Sequence, residues 1–168
     1  MLLSIGIDNG ISGSIAAIEF SEGVRPKVVM CRLMPTITVG KNEYIDEGAL
    51  LRELKAGDNY KNVVVAFEIG QRNPLFGTKG NFSNGYSYGV VKTVVRLMGV
   101  PHIEVNPKTW QKVIFQDIKG ADMSTKDASI EYCRRMYPEQ TLLPSPRCSK
   151  KHDGMADALC IASYAAKA

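Results

Sequence analysis

"IGIDNGISGSIAAI", residues 5 to 18, consists of two short apolar runs broken by Asn9-Gly10 and Ser12-Gly13. Turn-forming pairs between apolar runs mark a β-hairpin. The chain therefore opens with two antiparallel strands in its first 20 residues, and the first strand ends on a carboxylate, Asp8. Outward from this hairpin, "PKVVMCRLM" supplies a third strand, and "DEGALLRELKA" has leucines at helical spacing behind acidic residues, which predicts a helix over about 46 to 56. "NVVVAFE" is a continuous apolar run of the kind found in a strand buried on both faces, and it ends on Glu68. The Gly- and Asn-rich stretch after it reads as loop until a helix begins near residue 83 and stops at Gly99 and Pro101. "HIEV" is a fifth strand. Asn106 with Pro107 starts a further helix, "STKDASIEYCRRMYP" is another ended by Pro138, and a last helix starts near Asp153. Three strands in hairpin fashion, then alternating helices and strands, predict an α/β fold: one mixed sheet with helices on both faces.

A chain of 168 residues with 45% hydrophobic content suits one domain, 1–168, with a proper core. "MLLSIGID" is too short for a signal peptide and no run approaches the ~20 apolar residues of a membrane span, so a cytoplasmic protein without membrane contact is expected. Cys31, Cys133, Cys148 and Cys160 lack metal-ligand spacing and read as reduced, buried thiols. The net charge is +4, unevenly placed: residues 69 to 103 hold Arg72, Lys79, Lys92 and Arg96 and no acidic residue. Further basic clusters include Lys108, Lys112, Lys119, Lys126, Arg134, Arg135, Lys150 and Lys151. The pattern suits a polyanion partner, and equally an ordinary solvated basic surface.

The segment "KKHDGMADALCIASYAA", residues 150 to 166, places Asp153 and Asp157 four residues apart, on one face at the start of a helix. Capping and the helix dipole account for Asp153 better than for Asp157, which sits among small apolar residues. If the strands ending in Asp8 and Glu68 lie side by side and parallel, both carboxylates emerge at the edge where α/β proteins bind ligands. Four converging carboxylates repel strongly unless cations sit among them. Oxygen ligands without cysteine or paired histidine point to Mg²⁺ or Mn²⁺, and two such ions about 4 Å apart can drive phosphodiester hydrolysis.

"IGIDNGISGSIAAI", "VVVAFE" and "HDGMADALCIASYA", in this order and separation, resemble the RuvC-type Holliday junction resolvases of the RNase H-like superfamily, particularly phage-borne members. The resemblance spans Ile5 to Ala166. It implies a five-stranded mixed sheet ordered 3-2-1-4-5 flanked by helices, and a homodimer that cuts two opposed strands of a four-way DNA junction with two Mg²⁺ or Mn²⁺ ions per active site. In a phage-borne member the place of action would be the bacterial host cytoplasm. Carried over by position, the metal-holding and catalytic carboxylates are Asp8, Glu68 and Asp157. The remaining family ligand falls three residues before the last aspartate, here Gly154, so Asp153 is taken in its place. Lys126 in "STKDAS" matches a family catalytic lysine; a second falls at Gln111, leaving Lys112 as a displaced candidate. The family's wedge aromatic is absent directly after Glu68. Phe76, between Arg72 and Lys79, is a substitute able to stack on an exposed base, or a plain loop anchor. Arg72, Phe76, Lys79, Lys108, Lys112, Lys150 and Lys151 are the expected DNA-binding residues.

Other side chains admit two readings. Trp110 contacts DNA or fills the core, and His152 orients Asp153 or is solvated beside two lysines. Tyr86, Val90, Val94 and Leu97 form a stripe facing either a second copy or the chain's own sheet, and Lys92 and Arg96 form a basic strip beside it. The rival functions are a non-catalytic branched-DNA binder, a transposase-like or general nuclease using the same carboxylates, and an actin-like phosphate-binding ATPase, for which the chain is too short.

Overall fold

The computed structural model describes residues 1–55, 60–118 and 123–168; Lys119 and the last residue of the helix expected over about 46 to 56 lie outside them. β1 (Leu2–Asp8) runs antiparallel to β2 (Ser14–Ser21), which runs antiparallel to β3 (Val24–Leu33). A small separate hairpin follows, β4 (Thr36–Val39) and β5 (Asn42–Ile45), and then α1 (Glu47–Lys55). β6 (Val63–Glu68) pairs in parallel with the free edge of β1, and α2 (Thr78–Leu97) leads to β7 (His102–Val105), parallel to β6. α3 (Pro107–Ile114), α4 (Thr125–Met136) and α5 (Asp153–Ala165) complete the order. The main sheet runs β3-β2-β1-β6-β7, the expected 3-2-1-4-5 once the small hairpin is counted apart.

Side-chain alternation along β1 and β6 decides where the carboxylates go. Leu3, Ile5 and Ile7, with Val65 and Phe67, pack under α1 and α2. The intervening residues, among them Ser4, Gly6, Val64 and Ala66, face α3, α4 and α5. Asp8 and Glu68 continue this second set at the C-terminal ends of neighbouring parallel strands, in a register that pairs Gly6 with Ala66 and Ile7 with Phe67. α5 lies on β1 and β2 and is covered by α3 and α4. Its residues are buried on nearly all sides, which explains its small apolar composition. Ser4 Oγ donates to the Ala162 carbonyl at 2.6 Å, and a β-carbon on Gly6 would stand 2.1 Å from the Ala158 carbonyl oxygen. Only glycine lets the two backbones meet there.

Two elements depart from the sequence reading. The hairpin of β4 and β5 is an element that the sequence reading does not include, although Thr36, Ile37, Thr38 and Val39 favour a strand and Gly40 turns it at φ +64°. α2 begins at Thr78 rather than near 83, so Lys79 belongs to a helix and not to the loop. Asn81, read as a loop former, instead closes the helix start: its Nδ2 donates to the Asn73 and Phe76 carbonyls, and its Oδ1 accepts from the Asn73 amide at 2.8 Å. Among the described residues no helix is long and apolar enough to cross a membrane, and all four cysteines are free, with Cys133 and Cys160 buried.

Gly6→Ala is expected to force α5 off β1 and to destabilise the chain by about 3 kcal/mol or more, at the upper end of what overpacking costs. A urea denaturation midpoint equal to that of the parent chain would show that the contact yields without cost.

Candidate active site

Asp8, Glu68 and Asp157 come together at the C-terminal edge of β1 and β6, each partly open to solvent. Burial is the main cause that pushes the Asp8 carboxyl up to about 8, followed by the charges of Asp157 and Glu68. Burial likewise pushes Asp157 up to about 6, against a hydrogen bond from Ser129 and with the charges of Glu68 and Asp153 adding to it. Glu68 is raised by burial, while the indole of Trp110 lowers it. Glu68 and Asp157 each have a side-chain donor, and Asp8 takes a hydrogen bond from the Gly10 backbone. Trp110 Nε1 donates to Glu68 Oε1 at 2.8 Å, Ser129 Oγ donates to Asp157 Oδ1, and Asn9 Nδ2 donates to the Glu68 carbonyl at 2.5 Å.

Asp153 stands apart from this trio. It is ion-paired with Lys126, whose ammonium holds its carboxyl below the usual aspartate range, and its side chain is 40% exposed. It does not cap α5: that place is taken by His152, whose Nδ1 accepts from the Met155 amide at 3.3 Å. A β-carbon on Gly154 would lie 2.7 Å from Asp8 Oδ2 and 3.2 Å from His152 Nδ1. The position three residues before Asp157 thus faces the cluster, and glycine leaves it open.

Among the described residues no group of three or more Asp, Glu, His or Cys stands close enough together to form a ready-made metal cage. The donor set nevertheless fits a hard divalent cation. It is made of carboxylate oxygens that burial and one another's charge make harder to ionise, and a cation among them would stabilise their ionised forms.

The expected DNA-binding residues divide into groups. Arg72, Phe76 and Lys126 line one cavity with Asp8 and Glu68. Lys108 and Lys112 line a separate shallow one with Gln111 and Phe115. Lys79, Lys150 and Lys151 are exposed, and among the described residues neither they nor Arg72, Lys108 and Lys112 enter an ion pair with an acidic group. The other clustered cations are engaged: Lys92 and Arg96 both bind Glu104, and Arg134 and Arg135 both bind Glu131. The basic strip expected on α2 is therefore offset in part from β7. The stripe beside it splits, with Val94 in the core and Leu97 76% exposed. Trp110 is core, and it serves the site from there.

Sequence reasoning missed Ser129, Asn9, Leu75 and Phe82. Ser129 is a buried polar residue three positions after Lys126, and Asn9 was taken only as a turn former. Leu75 and Phe82 are 92% and 76% exposed, more than Phe76 at 49%. The apolar pair Leu75-Phe76 inside a polar stretch was the available signal.

The raised carboxylates fix a pH dependence. A group whose folded pKa exceeds its unfolded value stabilises the fold fully below the unfolded pKa, near 4 for aspartate, and that stability is lost as pH rises through the folded value. The metal-free chain should therefore lose stability progressively as pH rises above about 4, the loss from Asp157 levelling off near 6 and that from Asp8 near 8. Asp8→Asn should raise the melting temperature at about pH 9 and hardly at about pH 5, and should diminish the stabilisation by Mg²⁺ or Mn²⁺. Thermal melts across pH with and without cation test this; equal shifts at both pH values would rule out the assigned burial.

No protein-family model matches this chain, and no curated protein matches it. Among solved structures it is similar to Thermus thermophilus RuvC in complex with Holliday junction substrate, with TM-score 0.68 and 18% identity over 99% of this chain and 93% of that one. It is also similar to a second structure of Thermus thermophilus RuvC, with TM-score 0.63 and 19% identity over 98% and 95%. The chain has a RuvC-like fold of the RNase H-like class, a five-stranded mixed sheet flanked by helices, from end to end.

Proposed function

We propose that this chain is a metal-dependent endonuclease that resolves four-way (Holliday) and other branched DNA junctions by paired phosphodiester hydrolysis. The observation that carries the reading is the meeting of Asp8, Glu68 and Asp157 at one sheet edge, in a fold shared along its whole length with a protein solved on Holliday junction DNA. In this reading Asp8, Glu68 and Asp157 hold Mg²⁺ or Mn²⁺, with Asp153 joining when Lys126 releases it. Two ions held there supply activation of a water nucleophile and stabilisation of the departing oxygen. Trp110, Ser129 and Asn9 keep the carboxylates aimed, and Lys126, exchanging Asp153 for a DNA phosphate, neutralises charge beside the cut. The unpaired cations Arg72, Lys79, Lys108, Lys112, Lys150 and Lys151 take backbone phosphates, and Phe76 stacks on an unpaired base.

Paired cuts call for a homodimer. The surface that suits it is the groove of about 430 Å³ along α2, walled by Tyr86, Val90 and Leu97, where an exposed leucine is left without a neighbour. A nuclease of this kind works where the DNA lies, the cytoplasm in a bacterial or phage setting.

The test is a cleavage panel of four-way junction, fork, flap, bubble and duplex of shared sequence, with Mg²⁺, Mn²⁺ or chelator. Symmetric nicks across the junction in the presence of metal are expected, with binding that weakens steeply as salt rises. Asp8→Asn and Asp157→Asn should lose on the order of a hundredfold or more in rate with junction affinity nearly intact. Trp110→Phe, which removes only the indole hydrogen bond to Glu68, should lose ~10–100-fold. Equal attack on every substrate would favour a general nuclease, and tight junction binding with no cleavage under any metal would favour a non-catalytic binder.

A further inference from the structure

Pairing with β7 continues one residue past the end of β6. The Ile69 amide donates to the Val105 carbonyl at 2.9 Å, and at Gly70 the chain leaves the sheet for the segment that walls the cavity beside Asp8 and Glu68. β1 gives no pairing here, since its register with β6 ends at Ile7 and Phe67. Trp110 and Asn9 hold Glu68 itself, at the carboxylate and at the carbonyl. The turn that follows is held by a different side chain, from α2. Tyr88 lies against Gly70: a β-carbon there would stand 2.7 Å from Tyr88 Cγ and 2.8 Å from its Cβ and Cδ1. Gly70 does not have a positive φ, so backbone conformation does not demand glycine at this place. Room for the tyrosine does.

The same ring packs with Phe67, at 6.3 Å between centroids, on the face of the sheet that α1 and α2 cover. Tyr88 therefore bears on Phe67 before Glu68 and on Gly70 after it. The far end of the ring is fixed by a closed triangle of polar groups. Tyr88 Oη donates to Glu104 Oε2 at 2.5 Å, and Lys92 Nζ donates to both oxygens at 2.9 Å. The Lys92 ammonium also lies 5.2 Å from the centre of the Tyr88 ring. The Tyr88 hydroxyl and then Lys92 hold the Glu104 carboxyl below the usual glutamate range, which keeps it an ionised acceptor. Glu104 stands opposite Phe67 in the register of β6 with β7. The triangle thus ties α2 to β7 and leaves the tyrosine ring clamped on the strand end between them.

We propose that Tyr88 is a positioning residue for Glu68: its ring, locked by Glu104 and Lys92, holds the strand end from Phe67 to Gly70 on the face opposite the carboxylates and so sets how tightly the site takes a divalent cation. The proposal rests on the reading of Asp8, Glu68 and Asp157 as the groups that hold that cation. Glu68 is the last residue of its strand, so a turn that shifts by a fraction of an ångström moves the carboxylate with it. Outer groups that orient a metal ligand commonly govern affinity without touching the metal.

The experiment follows thermal melts of the DNA-free chain at rising Mn²⁺, where the midpoint of the stabilisation reports cation affinity, beside junction binding in chelator and cleavage at rising Mn²⁺. Tyr88→Leu should raise the Mn²⁺ midpoint about tenfold or more, and Gly70→Ala should do likewise by pushing the ring away. Tyr88→Phe, which keeps the ring and frees it from Glu104, should raise it less, and Glu104→Gln, which preserves the acceptor, should stay near the parent. The midpoint for cleavage should move with that for melting, and junction affinity in chelator should stay unchanged in all four. A side chain that only packs would lower the melting temperature and leave both midpoints in place. Parent midpoints in Tyr88→Leu and Gly70→Ala, or in Tyr88→Phe where those two fail to fold, would therefore overturn the role. A loss of junction affinity in chelator would overturn it as well, by making Tyr88 a DNA contact. A parent chain that no divalent cation stabilises and that cuts no branched DNA would instead overturn the reading on which the role rests.

Discussion

Everything at the candidate site depends on how closely α5 approaches β1. At Gly6 the helix backbone leaves no room for one carbon atom, and at Ser4 the strand donates a hydrogen bond to Ala162. This contact fixes the helix along its length and in rotation. It carries Asp157, one residue before Ala158, to the end of β1 where Asp8 emerges. The small residues of α5 and its burial from several sides follow from the same requirement, because a helix pressed this close cannot carry bulk on that face.

The second constraint is electrostatic and opposes the first. Packing brings three carboxylates into one partly enclosed edge, where each makes its neighbour harder to ionise. Among the described residues no arginine or lysine forms an ion pair with the trio. Lys126 is spent on Asp153 at the rim, and Arg72 lines the same cavity without an ion pair among the described residues. Neutral donors hold the trio instead: the indole of Trp110 on Glu68, the hydroxyl of Ser129 on Asp157 and the Gly10 backbone on Asp8, none of which cancels a charge. A site built for stability would pair these acids. One built to receive a cation leaves them orientated and uncompensated.

The strands and the three carboxylates were legible because they follow from short-range pattern: apolar runs of strand length, turn pairs between them, and acids at strand ends or four residues apart on a helix; the strand order came from the resemblance of the three motifs to a known family. What could not be read depends on partners distant in the chain. Lys92 and Arg96 looked like a free basic pair, yet both reach Glu104 of β7, which offsets one of the two charges. Trp110 could be core or DNA contact from sequence, and it turns out to fill the core while its one polar atom reaches Glu68. The start of α2 was misplaced because Gly80, Asn81 and Gly85 lower helix propensity. In the fold Gly80 gives Phe76 room, and Asn81 ties the preceding loop to the helix. Asp153 could be cap or metal ligand from sequence, and only the geometry shows the His152 imidazole taking the Met155 amide and Asp153 pairing with Lys126.

Asn9 binds the two strand ends to one another. Its side-chain amide donates to the Glu68 carbonyl at 2.5 Å, and its backbone follows directly on Asp8, so one residue ties the end of β1 to the end of β6. The carboxylates of Asp8 and Glu68 leave the sheet from those two ends, so their separation is set by a backbone contact that does not involve the carboxylates themselves.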